Sequence, residues 1–478
     1  RLQDQILVTG AGGIANGFDA SPVNGPTIWR YNEPAANSTL QDFIPISSIS
    51  KNHSVTTQTY LTAGNGLMLF FRGDRINNIS SKTTPPFPVP EDVTLTYKGL
   101  LNQGNITVTA PFGAATGFLA YTNKAETNDG FNLVGNPYPS TIDWEQSGGN
   151  GSAIALTNIN PTIYILNPVT KNYGTYTKGG MATGLATQYI ASGQGFFVKA
   201  NAPNPTLAFT EAAKASDISN PAVLGRKTAL NIDFLRLSLQ KDSVEQDDIL
   251  ITFKTGQSED YLQQEDIEDL TGQNAAASLS SISKKEKKQL AVNALPPAEN
   301  GSSIPLFLDA AADGKYSLKL TDWSANFNTQ TVFLKDNFTA DSVNLSQQPE
   351  YAFLISKNNA ATFGSDRFVL YFKPQTTAVT VNKPVIVANP QNTNAMISVT
   401  LYPNPASTEI NILVDKNSMG NFKLNIYNLK GQKISSSDYW NQHNFKHNIA
   451  SLLAGVYVAE LIDLNNGQFI HKLKFVKD

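Results

Sequence analysis

Ile410-Asn411-Ile412-Leu413-Val414 and Phe422-Lys423-Leu424-Asn425-Ile426-Tyr427 decide the fold of this chain, because in both an apolar residue returns at every second position. A period of two is that of a strand with one face in a core. Ile410, Ile412 and Val414 then share one face, as do Phe422, Leu424 and Ile426, and Phe469, Leu473 and Phe475 near the end of the chain. Working outward from these, seven strand-like segments fit in about eighty residues: 398–402, 410–414, 422–427, 432–436, 445–449, 455–462 and 468–476. That density predicts a small seven-stranded, immunoglobulin-like sandwich at 398–478. The last segment turns Lys472 and Lys474 to its other face, where charge on an edge strand resists uncontrolled pairing or serves as a recognition surface.

Towards the N-terminus the texture stays β. Short runs rich in β-branched and aromatic residues, at 66–71, 93–97, 105–109 and 195–199, are separated by Gly, Pro, Asn and Ser clusters. They predict a first β module over 1–215. A polar passage at 211–225 reads as a linker, and alternation over 230–239 with an apolar run at 249–253 opens a second β-sandwich module at 226–374. Within it, 258–270 is the main helical candidate, with Leu262, Ile267 and Leu270 near one face and acids elsewhere, so a short helical insertion is expected. Residues 375–397, rich in Thr, Val, Asn and Pro, read as a linker. The whole is therefore expected to be all-β, three sandwich-like domains in tandem.

Composition narrows the function. Charged residues make up 16% of 478, the net charge is −3, and there is no cysteine. Nothing points to a nucleic acid, and disulfides, thiolate metal sites and cysteine nucleophiles are excluded. No apolar run is long enough to span a bilayer as a helix. The opening Arg1-Leu2-Gln3-Asp4-Gln5 is unlike a signal peptide, which suits a mature or truncated product.

Several motifs invite chemistry. Gly10-Ala11-Gly12-Gly13-Ile14-Ala15 fits a dinucleotide fingerprint, but poor helix formers follow it, so no cofactor is expected. Asp143-Trp144 could hold a sugar, though the indole is better suited to a core. Lys284-Lys285-Glu286-Lys287-Lys288 could meet a phosphate or acidic glycan, or be a solvated turn. The carboxylate pairs 247/248, 259/260, 265/266 and 268/269 are neighbours in sequence rather than partners across a cleft. Ser281-Ile282-Ser283-Lys284 spells S-x-x-K without companion motifs, and His53, His443, His447 and His471 show no zinc spacing. No catalytic residue, metal site or cofactor is assigned.

The tail carries a more specific pattern: Tyr402-Pro403-Asn404-Pro405, then Asn428-Leu429-Lys430-Gly431-Gln432, then Leu453-Ala454-Gly455-Val456-Tyr457, then Lys472-Leu473-Lys474-Phe475-Val476-Lys477. In this order the pieces resemble the type A C-terminal sorting domain of the bacterial type IX secretion system. The resemblance implies export across the outer membrane and recognition by an outer-membrane shuttle β-barrel protein and the translocon. A surface transpeptidase then cuts upstream and attaches the cargo to an anionic lipopolysaccharide. Carried over by position, the signal residues are Pro403, Asn404, Pro405, Gly431, Gly455, Tyr457, Lys472, Lys474 and Lys477. The Pro and Gly residues alternatively serve only turns, and Tyr457 only the core. Cutting is expected in the linker between about 387 and 397, the chain as given being uncut. Asn132–Ser140, Ile142-Asp143-Trp144 and Ile190–Val198 also look like a module of large surface proteins that bear this domain. The expectation is a non-enzymatic, adhesin-like or structural protein, with a possible glycan or cell-surface ligand. The alternative is the accessory and sorting region of a larger secreted hydrolase.

Overall fold

The computed structural model describes residues 4–33, 43–49, 63–96, 100–108, 118–122, 129–148, 151–215, 232–272, 274–324, 330–374, 398–403, 405–415, 420–428, 433–442, 444–464 and 469–477. It is nearly all β and divides into two compact units, Arg1–Ala378 and Val379–Asp478. The linker at 375–397, with the expected cleavage segment, and most of the passage at 211–225 lie outside the described residues.

Both regions read as β modules, 1–215 and 226–374, fall inside the first unit. The N-terminal part holds several small sheets. The largest runs in the order Met181–Ala182, Tyr173–Thr177, Ile159–Leu166, Gly195–Ala200, Phe131–Gly135. Beneath it Trp144, Ile163, Ile190, Phe196 and Phe209 form one core. The second part is an eleven-stranded sheet, antiparallel apart from the pairing of Val244–Phe253 with Gln289–Leu295. Phe353, on the strand at one end of the order, packs 4.8 Å from Phe368, three strands in from the other end. The sheet therefore folds back on itself around Leu237, Ile251, Leu306, Leu318 and Phe368 in the manner of a sandwich. A further cluster joins the two parts, with Phe131, Tyr164, Tyr173 and Phe197 from the first against Leu250, Ile267 and Val292 from the second.

Two sequence expectations fail here for identifiable reasons. The segment 258–270 is a run of turns ending in the short strand Ile267–Glu268, which pairs with Gln289–Leu295, and is not a helix. Two of its acids, Asp266 and Glu268, turn inward. Asp266 accepts the backbone N–H groups of Leu262 and Ala294 at 2.7 and 2.8 Å, and Glu268 lies between Lys199 and Lys288, each 2.7 Å away. Leu262, expected inside, is exposed. Tertiary ion pairs and backbone donors have overridden helical spacing. At 93–97 no strand forms over the described residues, because the Gln5 side chain takes both the N–H and the C=O of Thr96 where a neighbouring strand would bond. Val93 and Leu95 instead pack on a small core of Ile6, Val8, Phe18 and Ile28.

The second unit is the seven-stranded sandwich read from alternation. One sheet is Ser398–Tyr402, Glu409–Asp415, Asn444–Asn448; the other is Lys433–Gln442, Gly420–Asn428, Gly455–Asp463, Phe469–Lys477. Ile410, Ile412, Val414, Phe422, Leu424, Ile426 and Phe475 are all buried between them, and Leu473 packs at their margin. Burying each such side chain contributes roughly 1.5–3 kcal/mol, which is how eighty residues sustain a separate core. The strand expected to end at 436 continues to Gln442, because Tyr439 stacks on Phe445 at 4.0 Å.

Candidate functional site

Motif pieces far apart in sequence meet at one corner of this sandwich. The first strand ends at Tyr402, and after the exposed Pro403 and Pro405 the chain turns inward so that Ala406 is buried. There the Ala406 N–H donates to the Val476 carbonyl at 2.9 Å, in a short parallel bridge with the end of the last strand. On the other side of that strand, Gly455 pairs with Lys477, Val456 with Val476 and Tyr457 with Phe475. The final residues of an edge strand are thus held from both sides. Tyr457 anchors the arrangement: its ring stacks on Phe475 at 5.7 Å and its hydroxyl donates to the Leu453 carbonyl at 2.9 Å. This fixes the loop ahead of Gly455 to the core.

The nine signal residues therefore separate into groups. Pro403, Pro405, Gly455, Tyr457 and Lys477 come together at this corner, with Tyr457 and Lys477 largely buried. Lys472 and Lys474 sit on the same strand, opposite Glu460 and Val458 in the register. Asn404 and Gly431 lie outside the described residues, as do the turn residues around Gly431. Ala406 is the contributor that sequence reading missed. It is a plain alanine, and only its backbone N–H does the work, so no side-chain pattern marks it.

The other motifs resolve into structure. Gly13–Asn16 is a single 3-10 turn closed by the Asn16 side chain on the Ala11 carbonyl, so no long helix starts there to receive a pyrophosphate. Gly10 is required because a Cβ at that position would meet the Phe18 ring at 2.5 Å. Gly135 is an extended strand residue paired with Gly195, where a Cβ would press on the Asn65 carbonyl at 3.2 Å. Trp144 is fully buried and donates from Nε1 to the Pro161 carbonyl, while Asp143 accepts from Gln188. The indole is a core residue and offers no face to a sugar. The basic run is the turn between Ala277–Ile282 and Gln289–Leu295, with Lys284 paired to Glu259 and Lys288 to Glu268. Ser281 is a buried strand residue donating to the Leu290 carbonyl.

The paired carboxylates serve as struts. Asp248 meets Arg236 and the Gly184 N–H; Asp247 accepts the Leu279 N–H; Asp269 accepts from Ser280 and Thr271. Burial pushes the Asp266 and Asp269 carboxyls up to about 6. Asp247 is also raised, first by burial and then by Asp269. In the sandwich, His447 is buried against the Tyr439 hydroxyl, 2.8 Å from Nδ1, and burial lowers its pKa.

Two family models match the chain. One, described as a secretion system C-terminal sorting domain, matches residues 400–476, over the sandwich whose corner gathers the motif. The other, described as a domain of unknown function (DUF8693), matches residues 18–372, across both β regions of the first unit and most of the chain. No curated protein matches it. The C-terminal unit marks the protein as cargo exported by the type IX secretion system to the cell surface or beyond, working with that system's machinery. The chain belongs to the DUF8693 family, carried on a type IX sorting domain.

Proposed function

We propose that the closed sandwich at 398–478 is the docking handle for an outer-membrane shuttle β-barrel protein, and that a surface transpeptidase cuts ahead of it, within about 387–397, leaving residues 18–372 displayed as an adhesin-like or structural module. The observation that carries this reading is the convergence of Pro403, Pro405, Gly455, Tyr457 and Lys477 around the end of the last strand. A rigid, self-contained corner is what a partner needs in order to recognise an otherwise variable cargo. A non-enzymatic role for the first unit is supported by its carboxylates, which are engaged by Arg236, Arg367, Lys199 and backbone N–H groups as internal struts.

The test is removal of residues 468–478 from the full chain, followed by fractionation of the producing cells. The variant is expected to collect in the periplasm while the intact chain reaches the surface. Normal surface levels of the shortened chain would show that the address lies elsewhere.

A further inference from the structure

The first unit contains a cleft of about 530 Å³ lined by aromatic rings and cations. Its floor is the edge-to-face cluster of Tyr31, Phe43, Tyr173 and Phe197, with Tyr31 4.8 Å and Tyr173 5.5 Å from Phe197. One wall is Phe70 and Phe87, half-exposed and 5.2 Å apart, with the Arg72 guanidinium lying 4.7 and 5.1 Å from their centroids. Leu270 and Thr271, from the second β region, close the far side.

The charges decide what fits. Arg72, Lys82 and Lys171 line the cleft, and among the described residues no Asp or Glu does. Lys82 is already satisfied by Asp74 and Glu91, at 2.9 and 2.8 Å. Arg72 is nearly buried, and its nitrogens donate to the Lys82 carbonyl at 2.8 Å, the Thr27 hydroxyl at 3.3 Å and the Pro26 carbonyl at 3.4 Å. Among the described residues it meets no carboxylate. A guanidinium has five N–H groups, and these bonds use one on each nitrogen. A desolvated cation beside an apolar cavity favours an anion, because Coulomb attraction is weakly screened there. A neutral sugar fits less well: its hydroxyls need acceptors, and the described lining is dominated by Phe, Tyr, Pro, Leu and Met.

We propose that this cleft binds an amphipathic organic anion, with a flat or extended apolar body against Tyr31, Phe43 and Phe197 and one anionic head between Arg72 and the rim residue Lys171. The site is distinct from the export corner, and its occupancy does not depend on how the protein is exported.

Two dyes that share an apolar body test it on the full chain: 1-anilinonaphthalene-8-sulfonate and its uncharged counterpart N-phenyl-1-naphthylamine. The sulfonate is expected to bind with one-to-one stoichiometry and at least tenfold more tightly than the neutral dye. Lys171→Glu, at an exposed rim position, is expected to weaken the sulfonate at least threefold and leave the neutral dye unchanged. Arg72→Met is expected to remove most of the remaining preference. Equal binding of the two dyes by the unaltered chain overturns the proposal. So does failure of the sulfonate to bind, or sulfonate affinity unchanged by Lys171→Glu in a chain whose thermal unfolding is unaltered.

Discussion

Asp266 and His447 show how burial acts on single titrating groups with opposite consequences. Asp266 is held in the neutral form up to a pH of about 6, so the stability it contributes is present at low pH and is lost as the pH rises through that value. Asp269 behaves alike. His447 is held neutral by burial, so its contribution is present above the ordinary imidazole pKa of about 6.5, where both states are neutral. That contribution is lost as the pH falls and the unfolded chain takes up the proton first. Between pH 7 and 5, the first unit should gain on the order of 1 kcal/mol from Asp266 and more from the raised Asp247 and Asp269, while the second loses stability. Calorimetry of the full chain at the two pH values checks this: one transition should rise and the other fall. Asp266→Asn should reduce the rise and His447→Gln the fall. Parallel movement of both transitions would contradict these environments.

At the level of elements, strands of the sandwich were legible because each carries its own record of which face is buried. Ile410, Ile412 and Val414 needed no partner to be read as inward-facing. The fourth strand reads short in sequence because Ser435-Ser436-Ser437 has no apolar alternation, and its core contact arrives only with Tyr439. The helix expected at 258–270 does not form for a deeper reason. Spacing assigns acids to solvent, whereas Asp266 is met inside by backbone N–H groups and Glu268 by Lys199, which is 69 residues before it in sequence and visible only in the fold. The export corner was legible in its prolines, glycines and tyrosine but not in Ala406, whose contribution is a backbone donor. Ala406→Pro removes that donor and should cost the second unit about 1 kcal/mol, with a matching drop in its urea midpoint. Surface display should fall with it. An unchanged midpoint would mean that the parallel bridge adds nothing to the closure of the last strand.

For the whole molecule, the division into Arg1–Ala378 and Val379–Asp478 separates what is delivered from what directs delivery. The two regions within the first unit share Phe131, Tyr164, Tyr173 and Phe197 with Leu250, Ile267 and Val292. Such a joint is hidden from sequence, since each run looks like the interior of its own strand. The cleft was equally hidden, because its aromatic rings come from segments as distant as Tyr31 and Phe197 and its cation from a third. The second unit alone should therefore serve as a complete export address. The direct measurement is to attach residues 379–478 to the C-terminus of a periplasmic fluorescent protein in a bacterium with a working type IX system, then measure the share of fluorescence accessible to protease at the cell surface. Most of the fusion is expected to reach the surface, and Tyr457→Ala to abolish this; a fusion that folds yet stays in the periplasm would show that the second unit is not sufficient for export.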